Sequence, residues 1–580
     1  MINIKEDEKL NVLNHSCAHL LAQAVKHLYP NAKFWVGPVI ENGFYYDIDL
    51  GDNVIKEEDL PKIEKEMKKI SKDGKRIYRE EISKEEALER FKDDLYKIDL
   101  IERMDEAETV ISCYTQGDFT DLCRGPHVES VKLLKHFKLL KTSGAYWKGD
   151  SKNKMLQRIY GICFETEEDL NNYLNYLEEA KQRDHRKLGK ELDLFMISEY
   201  GPGFPFWLPN GMILRKQLEN FWYEEHTKEG YEFIQTPIML SRELWEVSGH
   251  WYNYRENMYT SEIDDRTFAI KPMNCPGGML VYKNSLHSYR DLPIRCGELG
   301  LVHRHEASGA LSGLFRVRNF TQDDAHIFMR EDQMESEIIR LVNFIDRMYK
   351  VFNLSYHVEL STRPLDKYIG EIETWDRAES ILKDALTKAG KDYVLNPGDG
   401  AFYGPKLDFK VKDSLGRQWQ CGTIQLDMQL PERFDLTYID KDGSKKRPVM
   451  LHRVIYGSIE RFIGVLIEHF GGNFPLWMAP VQVNIIPVNN EYHLEYAKKI
   501  EEKLKEIGIR VNLDDREEKL GYKIREALVK KYPYNLILGQ KEVDNNKISY
   551  RHHGKEETIT LELDEFINTI DNEIKTKEIV

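Results

Sequence analysis

Residues 301–329, LVHRHEASGALSGLFRVRNFTQDDAHIFM, decide how the rest of this 580-residue chain is read. Two runs of β-branched and aromatic residues flank a small-residue stretch, Ala307 to Gly313, as two strands flank a reversal. Arg304, Glu306, Arg316, Gln322, Asp324 and His326 ride on this hairpin. An oily core does not accept that much charge unless each group is paired, metal-bound or turned toward a ligand. Arginine forks match phosphate oxygens, so the hairpin is expected to face a polyanion. The plainer alternative is a solvated, salt-bridged hairpin.

A chain of 580 residues is too long for one core and implies roughly three or four domains. Hydrophobic content of 41% and charged content of 31% suit a globular protein. The net charge of −15 argues, as an average, against a nucleic-acid partner. Two local stretches run against it: 181–190, KQRDHRKLGK, and 516–531, with six Lys/Arg against three Glu. Each reads either as an RNA contact or as a solvated helix face. Seven scattered cysteines point to a reducing compartment rather than a disulfide framework. The start, MINIKEDEKL, has no apolar signal core, and no run reaches the ~18–20 apolar residues of a membrane helix. A cytoplasmic protein is expected.

Residues 169–192 are charge-rich, with Leu170, Tyr173, Leu174, Leu177 and Ala180 at helical spacing, and read as a linker helix. Before it, helices and strands mix. After it, Phe195 to about Pro475 is punctuated by Gly and Pro and rich in aromatic strands, as a large antiparallel sheet would be. From Ala479, strand and helix alternate (VQVNIIPV, Tyr492 to Ile507, IRVNL, Lys519 to Lys531, YNLILG), which predicts a small α/β domain with a mostly parallel sheet.

Arg304-His305-Glu306 followed by Phe315-Arg316 resembles motif 2 of class II aminoacyl-tRNA synthetases. Gly457-Ser458-Ile459-Glu460-Arg461-Phe462 resembles motif 3, and Pro237, in YEFIQTP, resembles the motif 1 proline of a dimer interface. Motif 2 alone is weak; three motifs in order over more than two hundred residues are strong. Cys275 in MNCPGG, His326 in DDAH and His452 in MLHR sharpen the resemblance to threonyl-tRNA synthetases. Their separations, 51 and 126 residues, carry no metal signature by themselves. The resemblance implies that they hold one Zn²⁺ per subunit, with a fourth position open in the catalytic pattern. It also implies Mg²⁺ with ATP, and ATP, L-threonine and tRNA(Thr) as partners of a homodimer. The implied architecture is α+β and multidomain: an N-terminal α/β editing domain (1–168), the linker helix (169–192), a class II antiparallel-sheet catalytic domain (193–477) and a C-terminal α/β anticodon-binding domain (478–580).

Threonine and valine are nearly isosteric, and a shape-based pocket separates such pairs by only ~10²-fold. A Lewis-acidic zinc that takes the amino group and the hydroxyl rejects valine. Asp324 and Gln322 are then pocket groups beside the metal, and Tyr403, Gln420 and Gln425 resemble other pocket-lining positions. Serine carries the same hydroxyl and lacks only a methyl, worth about 1–3 kcal/mol, so a second, hydrolytic site is required. His15-Ser16-Cys17-Ala18-His19 puts two imidazoles on one helix face, and Cys123-Arg124-Gly125-Pro126-His127 repeats the four-residue offset. Either pair alone reads as structural as readily as functional. Together they resemble the editing domain of bacterial threonyl-tRNA synthetases, with Tyr46, Lys97 and Asp121 at further editing positions. The quartet either ligates zinc or positions a water, and the metal-free alternative is favoured.

For activation, the resemblance implies that the threonine carboxylate attacks the ATP α-phosphate. Arg304 holds that phosphate, Arg461 and Arg316 grip the bent triphosphate, and Glu306 meets the adenine or orders the hairpin. Lys406 adds positive charge near the carboxylate. His250, in SGHW, lies near the terminal ribose of tRNA; its plainer alternative is a loop histidine capping a helix. Only about a dozen residues precede the His15 helix, where many family members carry a small ubiquitin-like domain. Two rivals stand: a prolyl- or seryl-type class II synthetase, and a catalytically dead paralogue, which would be expected to have lost motif arginines that are present here.

Overall fold

The computed structural model describes residues 3–104, 110–366 and 368–580. It divides into two compact units, Met1–Glu179 and Ala180–Val580.

In the first unit the helix Glu8–Leu28 starts where the Asp7 carboxylate accepts the Leu10 amide at 2.9 Å. It buries Leu13, Cys17, Leu20, Leu21 and Val25 against an antiparallel sheet built from Gly43–Asp49, Met155–Phe164 and His136–Tyr146 with short flanking strands. A second antiparallel sheet joins Ile77–Ser83, Val110–Gln116 and Phe119–Leu122. The strand Phe119–Leu122 delivers Asp121 and then Cys123 back toward that helix.

The single helix expected over 169–192 is two helices, Glu167–Gln182 and His185–Glu191. Asp184 starts the second, its carboxylate accepting the Arg186 amide at 2.8 Å. A side chain of this type prefers a cap to a helix interior, and the periodicity count missed it.

The second unit is built on an eight-stranded sheet. Strands Glu232–Phe233, Ile294–His303, Asn319–Met329, Val449–Val454, Gln418–Asp427, Lys406–Lys412, Ser355–Ser361 and Tyr393–Asn396 follow one another in that spatial order. All pairings are antiparallel except those of the two outermost strands. Helices Pro209–Lys228, Met334–Lys350 and Ile459–Phe470 supply Trp222, Ile345, Phe462 and Leu466 to the main core.

The hairpin strands are Ile294–His303 and Asn319–Met329, paired from Ile294↔Phe328 to His303↔Asn319. Arg304, Glu306 and Arg316 therefore lie on the connection and not on the strands. Along Asn319–Met329, alternation puts Gln322, Asp324 and His326 on one face and Asp323, Ala325 and Ile327 on the other, which joins the main core.

The C-terminal region is a mixed sheet. Val483–Pro487 pairs parallel with Val511–Leu513 and Tyr534–Leu538, and two further strands, Lys547–His552 and Ile559–Glu562, add antiparallel. The sheet is thus less parallel than expected, because the polar, weakly alternating 547–562 was not read as strand. The basic stretch 516–531 is largely paired within the fold. Arg516 pairs with Asp514 and Glu526, Lys530 with Asp193, and Lys523 is buried on the Asp514 carbonyl. Among the described residues no helix is long and apolar enough to cross a membrane.

Candidate active site

Gln425, His452 and His326 sit opposite one another on three adjacent strands, through the pairings His326↔His452 and Gln425↔His452. Cys275 opens the helix Cys275–Lys283 beside them. The Cys275 sulfur and one nitrogen from each histidine all lie within 4.8 Å of one another, and all three residues are buried. Gly278 lets His326 close in; a Cβ there would come within 3.1 Å of its Nδ1.

Neither ring nitrogen of His326 has a hydrogen-bond partner. Burial drives its imidazole down to about 4, against the opposing pull of Asp324, so the ring is neutral and its lone pair is available. His452 Nε2 lies 2.8 Å from the fully buried Asp427 carboxylate, an orienting contact of the kind found behind metal-bound histidines. Burial, then Asp324 and Asp427, push the Cys275 thiol up, so only a bound cation would ionise it. A buried, unpartnered imidazole next to a thiol and a carboxylate-backed histidine suits a thiophilic divalent ion.

Around this cluster Tyr403 donates to Gln425 at 2.9 Å, and Asn274 donates to Asp324 at 3.2 Å. His250 is fully buried, with Ser248 Oγ 2.8 Å from Nδ1 and the Met273 sulfur 2.9 Å from Nε2. Burial first, then His452 and two arginines, lower it to about 3.

A cleft adjoins the cluster on the same sheet, lined by Arg304, Phe315, Arg316, Gln322, Gln420 and Arg461, among others. The Arg304 guanidinium lies 5.1 Å from the Phe320 ring centre and donates to the Pro272 carbonyl at 3.1 Å. Arg461 donates to the carbonyls of Phe315 and Gln420 at 3.0 and 3.3 Å. Among the described residues no carboxylate pairs with either. Burial lowers the Arg461 pKa, and Arg316 and Arg304 add repulsion that Cys421 partly offsets. Two half-buried cations without counter-charge in one cleft call for an anionic ligand. Arg316, by contrast, pairs with Glu306 at 3.4 Å. Lys406 is held between Asp408 at 2.5 Å and Asp399 at 3.0 Å, so its charge is already balanced.

Three buried carboxylates that sequence reading passed over hold this surface together. Asp323, on the core face, accepts the amides of Ile455, Tyr456 and Gly457 at 2.8–3.1 Å and so shapes the turn before Arg461. That turn needs glycine: Gly457 has φ +83°, and a Cβ would meet the Cys421 carbonyl at 2.7 Å. Asp408 gathers Lys406, Gln420, Thr423 and Ser361. Asp427 backs His452. The one available signal was an aspartate inside an apolar strand, which has to find partners.

The first unit holds a separate cluster. The donor atoms of His15, His19, Cys123 and His127 also lie within 4.8 Å of one another. The Cys123 sulfur sits 3.1 Å from His15 Nε2 and 3.1 Å from His127 Nε2. Ser16 Oγ touches His127 Nδ1 at 3.1 Å. Burial pushes the thiol up to about 12 and His127 down to about 2, so all members are neutral. Beside them Asp121 takes the Tyr46 hydroxyl and the Lys97 ammonium, the latter at 2.5 Å, with His19 Nε2 at 3.9 Å. All seven residues expected of a hydrolytic site are brought together.

Comparison with known proteins agrees along the length of the chain. The family described as "tRNA synthetase class II core domain (G, H, P, S and T)" matches residues 259–470, "Anticodon binding domain" matches 482–573, and "Threonyl and Alanyl tRNA synthetase second additional domain" matches 111–160. A threonine–tRNA ligase of Fusobacterium nucleatum is 59% identical over 99% of this chain and 93% of its own length; one of Clostridioides difficile is 58% identical over 100% and 90%. The crystal structure of the RNA-binding domain of a threonyl-tRNA synthetase from Cryptosporidium parvum superposes with a TM-score of 0.65 at 41% identity, covering 67% of this chain and 98% of that one. The chain belongs to the threonine–tRNA ligase family.

Proposed function

We propose that the sheet face of Ala180–Val580 activates L-threonine with ATP and passes it to tRNA(Thr), and that the His/Cys cluster of Met1–Glu179 hydrolyses seryl-tRNA(Thr). One observation carries the reading: three soft donors from distant parts of the chain converge within 4.8 Å, against a cleft holding unpaired arginines.

Cys275, His326 and His452 would hold zinc, which supplies Lewis acidity toward the amino group and hydroxyl of threonine. Asp324 accepts a hydrogen bond from the N–H of the substrate's neutral amino group, and Tyr403 and Gln425 close the pocket. The carboxylate of threonine attacks the α-phosphorus of ATP, and pyrophosphate leaves. Arg304 neutralises charge on the α-phosphate during the displacement, and Arg461 holds the triphosphate, which enters with Mg²⁺. Both arginines are half-buried and held by backbone carbonyls rather than by carboxylates, so they reorganise little at the moment of reaction. In the second step the terminal ribose hydroxyl of tRNA attacks the carbonyl carbon of the adenylate, the carbonyl–phosphate bond breaks, and AMP leaves. His250, buried between Ser248 and Met273, is proposed as the residue that orients the terminal ribose.

The test is ATP–pyrophosphate exchange with threonine, serine, valine and proline. Strong exchange with threonine, weaker with serine and little with valine or proline is expected; equal exchange with valine would refute the pocket. Asp427→Asn is expected to weaken zinc binding by about 10–100-fold, measured by competition with a chelator. An unchanged zinc affinity would remove Asp427 from the centre.

In the first unit Cys123 already shares its contacts with His15 and His127, which favours a positioned water over a metal. His19→Ala is expected to slow seryl-tRNA(Thr) deacylation by about 10²-fold or more while threonine charging is kept. Deacylation at the wild-type rate by that variant would remove His19 from the site. The exposed apolar residues Phe233, Ile238 and Met239 beside Pro237 support a homodimer, for which light scattering is expected to give twice the chain mass.

A further inference from the structure

Phe315 lines the nucleotide cleft between two aromatic neighbours. The His185 ring centre lies 4.1 Å away, and Trp419 stacks at 4.1 Å with the rings 28° from parallel. Both neighbours lead to one buried carboxylate, Glu468. On one side His185 Nδ1 and the His185 backbone amide lie 2.6 and 2.9 Å from Glu468 Oε1. On the other, Arg417 pairs with Glu468 at 2.5 Å and with Asp413 at 2.7 Å, and Asp413 accepts the Trp419 indole N–H at 3.0 Å.

His185 Nε2, the far nitrogen, takes the backbone amide of Leu314 at 2.9 Å. A backbone amide only donates. Nε2 must therefore present its lone pair and Nδ1 must carry the proton that goes to Glu468. Gly313, at φ +48°, lets the loop close on the ring, since a Cβ there would come within 2.1 Å of Nε2. Asp184, His185 and Glu468 bring metal-type donor atoms together, but both ring nitrogens of His185 are already engaged by protein.

We infer that His185, braced by Glu468, is a positioning residue for the nucleotide. It touches no reacting atom. It fixes the backbone at Leu314, and with it the Phe315 ring and the Phe315 carbonyl that receives Arg461 at 3.0 Å. The inference rests on the reading of the arginine-lined cleft as the ATP site. Losing the acceptor leaves a buried amide unsatisfied and lowers the fraction of molecules with the loop in place, which raises apparent KM for the ligand that needs it.

The experiment is ATP–pyrophosphate exchange by the full chain with His185→Leu, His185→Gln and Arg461→Ala. His185→Leu is expected to raise the ATP KM about tenfold, with the threonine KM within about twofold and kcat within about threefold. His185→Gln, whose side-chain oxygen can take the Leu314 amide, is expected to return the ATP KM to within about threefold of wild type. An unchanged ATP KM in His185→Leu, an equal rise for both substrates, or no recovery in His185→Gln overturns the inference. If His185→Leu does not fold, Glu468→Gln reads the same split: an ATP KM up about threefold at constant threonine KM supports it, and any other pattern overturns it. Normal exchange by Arg461→Ala would sink the ATP cleft itself. Loss of exchange there beside a wild-type ATP KM in His185→Leu sinks only the role of His185.

Discussion

Arg304→Ala is expected to lower threonine-dependent ATP–pyrophosphate exchange by about 10³-fold or more with the fold intact. The guanidinium is held by a carbonyl and an aromatic face rather than by a carboxylate, so its charge is uncommitted. Its removal costs the fold one side-chain hydrogen bond, to the Pro272 carbonyl, and no ion pair. The loss therefore falls on the transition state, where negative charge moves onto the α-phosphate oxygens, and not on stability. The far-ultraviolet circular dichroism and thermal midpoint should match wild type. Exchange within tenfold of wild type would remove Arg304 from the reaction.

Cys275→Ala is expected to strip the metal from the sheet-face centre and, with it, the discrimination against valine. A site that reads a hydroxyl through a directed contact rejects the analogue lacking it by about 10⁴–10⁵-fold, whereas shape alone gives about 10². Threonine exchange should fall steeply, and the surviving threonine-to-valine ratio should drop toward the shape-only value. The variant should fold, since Cys275 begins its helix and Asn274, Pro276 and the Thr236 contact with Gly277 remain. A threonine-to-valine ratio equal to that of wild type would mean that the hydroxyl is read by protein groups alone.

The broad architecture was legible because long apolar strands, a Gly-Ser-helix start and the strand–helix alternation after Ala479 are local signals. The site was legible only by resemblance. His326 and His452 are 126 residues apart in sequence and direct neighbours across two strands, a relation set by register and not by spacing. Arg304 and Arg316 read as strand residues because each directly adjoins strand-like residues, Leu301 to His303 for the one and Phe315 and Val317 for the other; the register from Ile294 to His303 ends the ladder before them. Asp323, Asp408 and Asp427 were missed because a buried carboxylate announces itself through partners that arrive from other strands. Asp184 broke a helix that periodicity alone had carried through. His185, six residues past the end of the first unit at Glu179, reads as one more charge in a basic run until Glu468 and Leu314 are placed beside it.

Metal content per chain, measured on wild type, Cys275→Ala and Cys123→Ala purified identically, tests the central claim most directly. One zinc in the wild type, none in Cys275→Ala and one in Cys123→Ala is the expected result. Zinc retained in full by Cys275→Ala would contradict it.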